Sequence, residues 1–158
     1  MTLKKRIAEQ IRRISTLTPP RGEFSLDTEQ GRLTCDLQTV EALACSFTHL
    51  ELESGVLAGA NSEQLKAVSD GLSSRLTYLL EPVRVIEFDQ DANLLQMRSD
   101  PPSQEESGTS YYELNVSHHG IAIRRYQKVP GQPRAQVAAN VTHEVLVRLA
   151  SDFIAALA

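Results

Sequence analysis

Apolar residues recur along this chain with two periods, and the change from one to the other divides it into elements. Leu3, Ile7, Ile11, Ile14 and Leu17 follow helical spacing, so residues 1–18 are read as an N-terminal amphipathic helix with Thr2 as its cap and Pro19-Pro20 as its stop. A two-residue period then takes over. Leu33, Cys35 and Leu37 alternate with polar neighbours, as do Leu43, Cys45 and Phe47, the pattern of strands with one buried face. Phe24 and Leu26 allow a short strand before them. Between Phe47 and Leu50 the parity flips, so that Leu50 and Leu52 alternate with Glu51 and Glu53. One extra residue near Thr48 and His49 reconciles the two halves, because a bulge changes the side to which later residues point. A helix over residues 36–45 is the competing reading, given their modest β-branched content.

Asn61 and Gln64 have capping-box spacing at the head of a second helical stripe, Leu65, Val68, Leu72, Leu76 and Leu79. Glu81-Pro82 ends it. Gly71 inside this helix marks either a close packing contact or a tolerated defect. Residues 83–88 and 93–98 form a hairpin about Asp89–Ala92, and residues 99–110, with Pro101, Pro102, Glu105, Glu106 and Gly108, are read as a flexible polar loop. Tyr112, Leu114 and Val116 then alternate with Glu113, Asn115 and Ser117. A turn at His119-Gly120 would set Val116 opposite Ile123 and Leu114 opposite Arg125, with Glu113 diagonal to Arg124. An irregular crossing over 129–140 leads to a last helix from about Thr142, with Val145, Leu149, Phe153 and Leu157 as its main stripe and Leu146, Ala150 and Ile154 widening it.

The predicted order is α-β-β-α-β-β-β-β-α: a single α+β domain over residues 1–158, with an antiparallel sheet of about six strands and three helices covering one face. This element order is similar to that of the bacterial secretion-chaperone type of α+β fold, which also opens with a helix and separates its strand groups with another. The resemblance implies a peptide-binding dimer and carries no individual residues across.

Composition sharpens the picture in two places. The net charge of −4 is uneven: residues 1–21 carry +5, residues 22–106 carry −11 and the remainder +2. An acidic body repels a phosphate backbone, so no nucleic-acid partner is expected. The basic helix lacks an aromatic anchor and no apolar run spans a bilayer, so no membrane role is expected and a cytoplasmic location is. The two cysteines, Cys35 and Cys45, stand at apolar strand positions without ligand spacing. They read as buried thiols, or less simply as a cross-strand bridge.

Candidate chemistry is sparse. Asp89, Asp91 and Asn93 match the first ligands of a calcium loop, but Leu94 replaces its glycine and Asp100 its bidentate glutamate, so a hairpin turn is expected there. Adjacent strand residues point to opposite faces, so His118 and His119 are poorly placed to share a metal unless the turn twists them together, and exposed turn histidines are the simpler reading. No cofactor, metal or catalytic group is indicated. The most concentrated functional surface is Arg124, Arg125, Tyr126, Lys128 and Arg134, where guanidinium groups beside an aromatic ring can grip carboxylates or a planar group. The expected function is a non-enzymatic protein-interaction or adaptor module with homodimerisation open to it; the alternative is a small-ligand sensor or enzyme with a site on the concave sheet face.

Overall fold

The computed structural model describes all 158 residues and realises the expected α+β order. Helix α1 (Leu3–Ser15) starts where the Thr2 hydroxyl accepts the Lys5 N–H, and it buries Ile7, Ile11 and Ile14. Its last turn closes when the Ser15 and Thr16 hydroxyls donate back to the carbonyls of Arg12 and Arg13. Three strands follow as an antiparallel meander: β1 (Gly22–Thr28), β2 (Gly31–Val40) and β3 (Ala44–Glu53). The parity flip has the expected cause. Asp36 faces His49 while Leu37 faces Phe47, so Thr48 is the extra residue that keeps both Phe47 and Leu50 in the core. The helical reading of 36–45 is thereby replaced by strand. Leu43 departs from expectation: it lies in the β2–β3 turn, 81% exposed, because the strand begins only after it.

Asn61 and Gln64 form the reciprocal capping box at the start of α2 (Ser62–Arg75), which buries Leu65 and Leu72. The stripe continues through a 3-10 turn (Thr77–Leu79) instead of a longer α-helix, burying Leu76 and Leu79. Gly71 makes no close approach to anything, which settles it as a defect in helix propensity.

Strands β4 (Val83–Asp89) and β5 (Leu94–Ser99) make the expected hairpin. Its turn is held by the Asp89 carboxylate, which accepts the N–H groups of Asp91 and Ala92, so the calcium-loop match is a turn cap. Within the polar stretch 99–110, β6 (Ser103–Gln104) pairs with the start of β7 (Thr109–Ser117). Strand β8 (Gly120–Lys128) pairs with β7 in a register two residues away from the expected one: Val116 faces Ile121, Leu114 faces Ile123 and Glu113 faces Arg124. The turn is therefore His118-His119. Gly120 belongs to the strand, at φ 135°, because a Cβ there would sit 1.9 Å from the carbonyl oxygen of Leu52 on β3. That glycine serves strand-to-strand approach, and reading it as a turn residue displaces the register.

The crossing over 129–140 contains β9 (Ala135–Val137) beside β8 and β10 (Ala139–Thr142) beside β3. Helix α3 (His143–Ala156) is capped by Thr142, whose hydroxyl accepts the Val145 N–H. Leu146, Leu149, Ala150 and Phe153 are its buried face, so Val145 sits at the margin of the stripe. The sheet order is β1-β2-β3-β8-β7-β5-β4, with β6, β9 and β10 as short side pairings. It has ten strands where about six are expected: β1 is the optional strand at Phe24 and Leu26, and β6, β9 and β10 have too few residues to show a period. All three helices lie on one face over a continuous apolar core. No helix is long and apolar enough to cross a membrane.

Candidate functional site

Alternation along β8 divides the residues that the sequence groups together. Arg125 follows Ile121 and Ile123 onto the helix-covered face, whereas Arg124, Tyr126 and Lys128 belong to the uncovered one. On the covered side the Arg125 guanidinium lies 4.4 Å over the Tyr112 ring. It donates to Glu81 at 3.1 and 3.4 Å and to the Ser110 hydroxyl at 2.7 Å. With only 14% of Arg125 and 13% of Glu81 exposed, this pair ties the end of the α2 region to β7 and β8. Both terminal nitrogens of Arg125 are already engaged within the fold.

The uncovered face holds a different cluster, built across three strands and one loop. Glu113 of β7 is 4% exposed, and its carboxylate accepts from Arg134 at 2.6 Å and from Arg98 of β5 at 3.2 Å. Arg124, although directly across the ladder from Glu113, is not its ion-pair partner. Arg134 lies 3.8 Å over the Tyr126 ring and Arg98 lies 4.7 Å over the Tyr111 ring. The two tyrosines, which face each other in the β7–β8 register, have ring centroids 6.0 Å apart. Hydrogen bonds from the Arg134 guanidinium to Glu113 and to the Tyr111 hydroxyl hold its proton more tightly than usual. Two cations thus share one buried carboxylate and two aromatic platforms, which holds them in place and leaves one positive charge unbalanced.

This cluster forms one wall of an open groove of 620 Å³ whose lining includes Ile86, Arg98, Asp100, Tyr111, Lys128 and Arg134. Lys128 donates to the carbonyls of Val129 and Gln132, so its ammonium is fixed at the groove by the loop that also delivers Arg134. Arg98 retains a buried Nε–H with no partner. Of the five residues expected to act together, the structure brings Tyr126, Lys128 and Arg134 to one region. Arg124 lies farther along β8, beside a smaller depression that includes Glu51, Asn115 and Ala122, and Arg125 is on the other face. Arg98 and Tyr111 were missed. Their only signal was an outward strand position, and their convergence with Arg134 depends on the pairing of β5 with β7 and on the 129–134 return.

Both cysteines are shielded and two of the four histidines are engaged. Burial pushes the Cys45 thiol up to about 11, and burial foremost raises Cys35 as well. Both are free, buried thiols. His49 meets Glu51 at 2.8 Å, and His143 reaches the Ala44 carbonyl at 3.0 Å. The rings of His118 and His119 lie together, 4.0 Å between centroids, at the hairpin turn. A second open groove, 650 Å³ between α1, the β2–β3 turn and α3, has apolar contributions from Ile11, Val40 and Val147 and a balanced rim of Lys4, Arg12, Glu41 and Glu144. It lacks the excess charge of the first. No family model matches the sequence, and no curated protein and no solved structure matches it significantly.

Proposed function

We propose that this protein is a non-enzymatic interaction module that captures an acidic segment of a partner protein in the Arg98–Lys128–Arg134 groove. The observation that carries this reading is the shared carboxylate. Glu113 and the rings of Tyr111 and Tyr126 fix two guanidinium groups without neutralising both. Cations ordered in advance lose little conformational freedom on binding, so more of each charge-assisted hydrogen bond appears as affinity. The acidic body of the chain does not oppose this reading, because screening confines exposed charges to a range of about 8–10 Å. The groove residues set the local field. Glu113 is held by two cations and is ill suited to accept a proton from a substrate, which favours binding over acid–base catalysis. The resemblance of the element order to that of secretion chaperones is in keeping with a peptide as the ligand.

A labelled peptide rich in aspartate and glutamate tests the reading against its asparagine and glutamine counterpart by fluorescence anisotropy. The acidic peptide binds more tightly, the preference falls with salt, and Arg98→Ala or Arg134→Ala weakens binding by about tenfold, the equivalent of about 1.4 kcal/mol. Equal binding of the two peptides would sink the proposal. The Tyr111 ring beside the groove favours a second reading, a small planar or dicarboxylate ligand. Glutarate or phthalate binding as tightly as the peptide would select it.

A further inference from the structure

Strand β4 is the last strand of the sheet, and its outer edge pairs with no other strand of the chain. Its sequence, Val-Arg-Val-Ile-Glu-Phe-Asp, is rich in β-forming residues, and Val85 and Ile86 are each 43% exposed. An apolar edge of this kind attracts another strand unless it is covered. The β4–β5 register contains an irregularity that bears on what covers it. Val85 faces Met97 and Glu87 faces Gln96, which leaves Ile86 as an extra residue. Arg84 and Glu87 are consequently on the same face, one on each side of the bulge.

That placement makes the edge self-complementary. In a regular strand, two-fold antiparallel self-pairing can match residues only when their numbers sum to an even value, because adjacent pairs alternate between hydrogen-bonded and non-hydrogen-bonded types. Arg84 and Glu87 have an odd sum, so a regular strand would never bring them opposite each other across a two-fold axis. Counting Val85 and Ile86 as one bulged position removes this bar. An axis through the bulge sets Arg84 of each copy opposite Glu87 of the other on the open face, and Val83 opposite Phe88 on the helix side. Neither Arg84 nor Glu87 has an ion-pair partner in its own chain. Arg84 instead faces Arg98 across the β4–β5 ladder, a like-charge arrangement that a second copy's Glu87 would offset. Leu80, 94% exposed just before the strand, adds apolar surface near the end of the same edge.

We propose that β4 is a self-association edge: two copies join through antiparallel β4 strands, centred on the Val85–Ile86 bulge, into one continuous sheet. The two acid-binding grooves then flank a common seam on the same open face. The edge pairing does not depend on what those grooves bind.

Charge exchange tests the register. Multi-angle light scattering over a dilution series is applied to the wild-type chain, Arg84→Glu, Glu87→Arg, an equimolar mixture of those two, and the double variant Arg84→Glu/Glu87→Arg. Circular dichroism on each verifies folding. The wild type is dimeric. Each single variant loses about tenfold or more in self-association, since two attractive pairs become two repulsive ones. The mixture recovers as a heterodimer and the double variant as a homodimer. Because the double variant keeps the composition of the edge, it remains decisive if either single variant folds poorly. A wild type that stays monomeric, including one whose β4 edge takes up a foreign peptide instead, overturns the proposal. So does a dimer indifferent to the single reversals, or reversals that the mixture and the double variant fail to rescue.

Discussion

The carboxylate of Glu113 and the guanidinium of Arg134 meet at 2.6 Å, on a face of the sheet that no helix covers. Arg98 reaches the same oxygen, so removing the charge of Glu113 leaves two cations close together with no anion between them. Breaking a fully buried pair costs ~3–5 kcal/mol, and the partial exposure of both arginines reduces the expectation to about 1–3 kcal/mol for Glu113→Gln. The same change frees both guanidinium groups from the carboxylate that orders them. Urea unfolding should show an earlier midpoint, and acidic-peptide affinity should fall although the groove becomes more positive. A variant with lower stability and higher affinity would show that the charge of Glu113 opposes the ligand more than its position helps it.

Two glycines should respond in opposite directions to the same substitution. At Gly71 in α2 a new Cβ meets nothing within 4 Å, so Gly71→Ala gains helix propensity, and stability rises by about 0.5–1 kcal/mol. At Gly120 the φ of 135° and the 1.9 Å approach to the Leu52 carbonyl force β3 and β8 apart. Gly120→Ala should cost on the order of 2–4 kcal/mol. Thermal melts of the pair decide the matter: a lower midpoint for Gly71→Ala contradicts the first assignment, and an unchanged or higher midpoint for Gly120→Ala contradicts the second.

The behaviour of Gly120 also shows how far the sequence could be read. Alternation identified the inward residues of β7 and β8 correctly, because the expected and observed registers differ by two residues and keep the same faces. It could not choose between them. The constraint that decides is a carbonyl of β3, far away in sequence, and it has no local signature. By contrast the bulge at Thr48 was legible, since inserting one residue is the simplest way to reverse parity inside a single apolar run. The candidate site divides along the same line. Arg124 to Lys128 were visible as a local concentration of charge, whereas Arg98 and Tyr111 join Arg134 only through strand order. Arg125 belongs to that concentration in sequence only, because adjacent residues of a strand serve opposite faces.

Alkaline pH should weaken the fold through its buried acids. Burial pushes the Cys45 thiol up to about 11, and burial is also the leading cause of the upward shifts of Cys35 and Tyr112. A folded-state pKa above the unfolded one means that the native chain binds more protons in the interval between them. Stability therefore holds below the unfolded thiol value of about 8.5 and falls as pH climbs toward 11. Urea midpoints measured across that interval should decline, and the decline should be shallower in Cys45→Ala. A midpoint that rises with pH would reverse the sign of the argument.

Arg125 separates a structural cation from a binding one. Its guanidinium is committed to Glu81, Ser110 and the Tyr112 ring, with 14% exposure, so Arg125→Ala leaves Glu81 nearly buried without a counter-charge. A loss of about 2–4 kcal/mol is expected. Removing both charges together, in Glu81→Gln/Arg125→Met, should return part of it, since a neutral pair avoids the desolvation that an unpaired carboxylate suffers. Neither variant should change acidic-peptide affinity under conditions where it remains folded, because Arg125 faces the helices. Arg134→Ala should do the reverse, reducing affinity more than its effect on stability explains. If Arg125→Ala instead abolished peptide binding while the urea midpoint stayed fixed, the binding surface would have to lie on the helix side of the sheet, around Leu80, Pro101 and Tyr112, and the Arg98–Arg134 groove would lose its role.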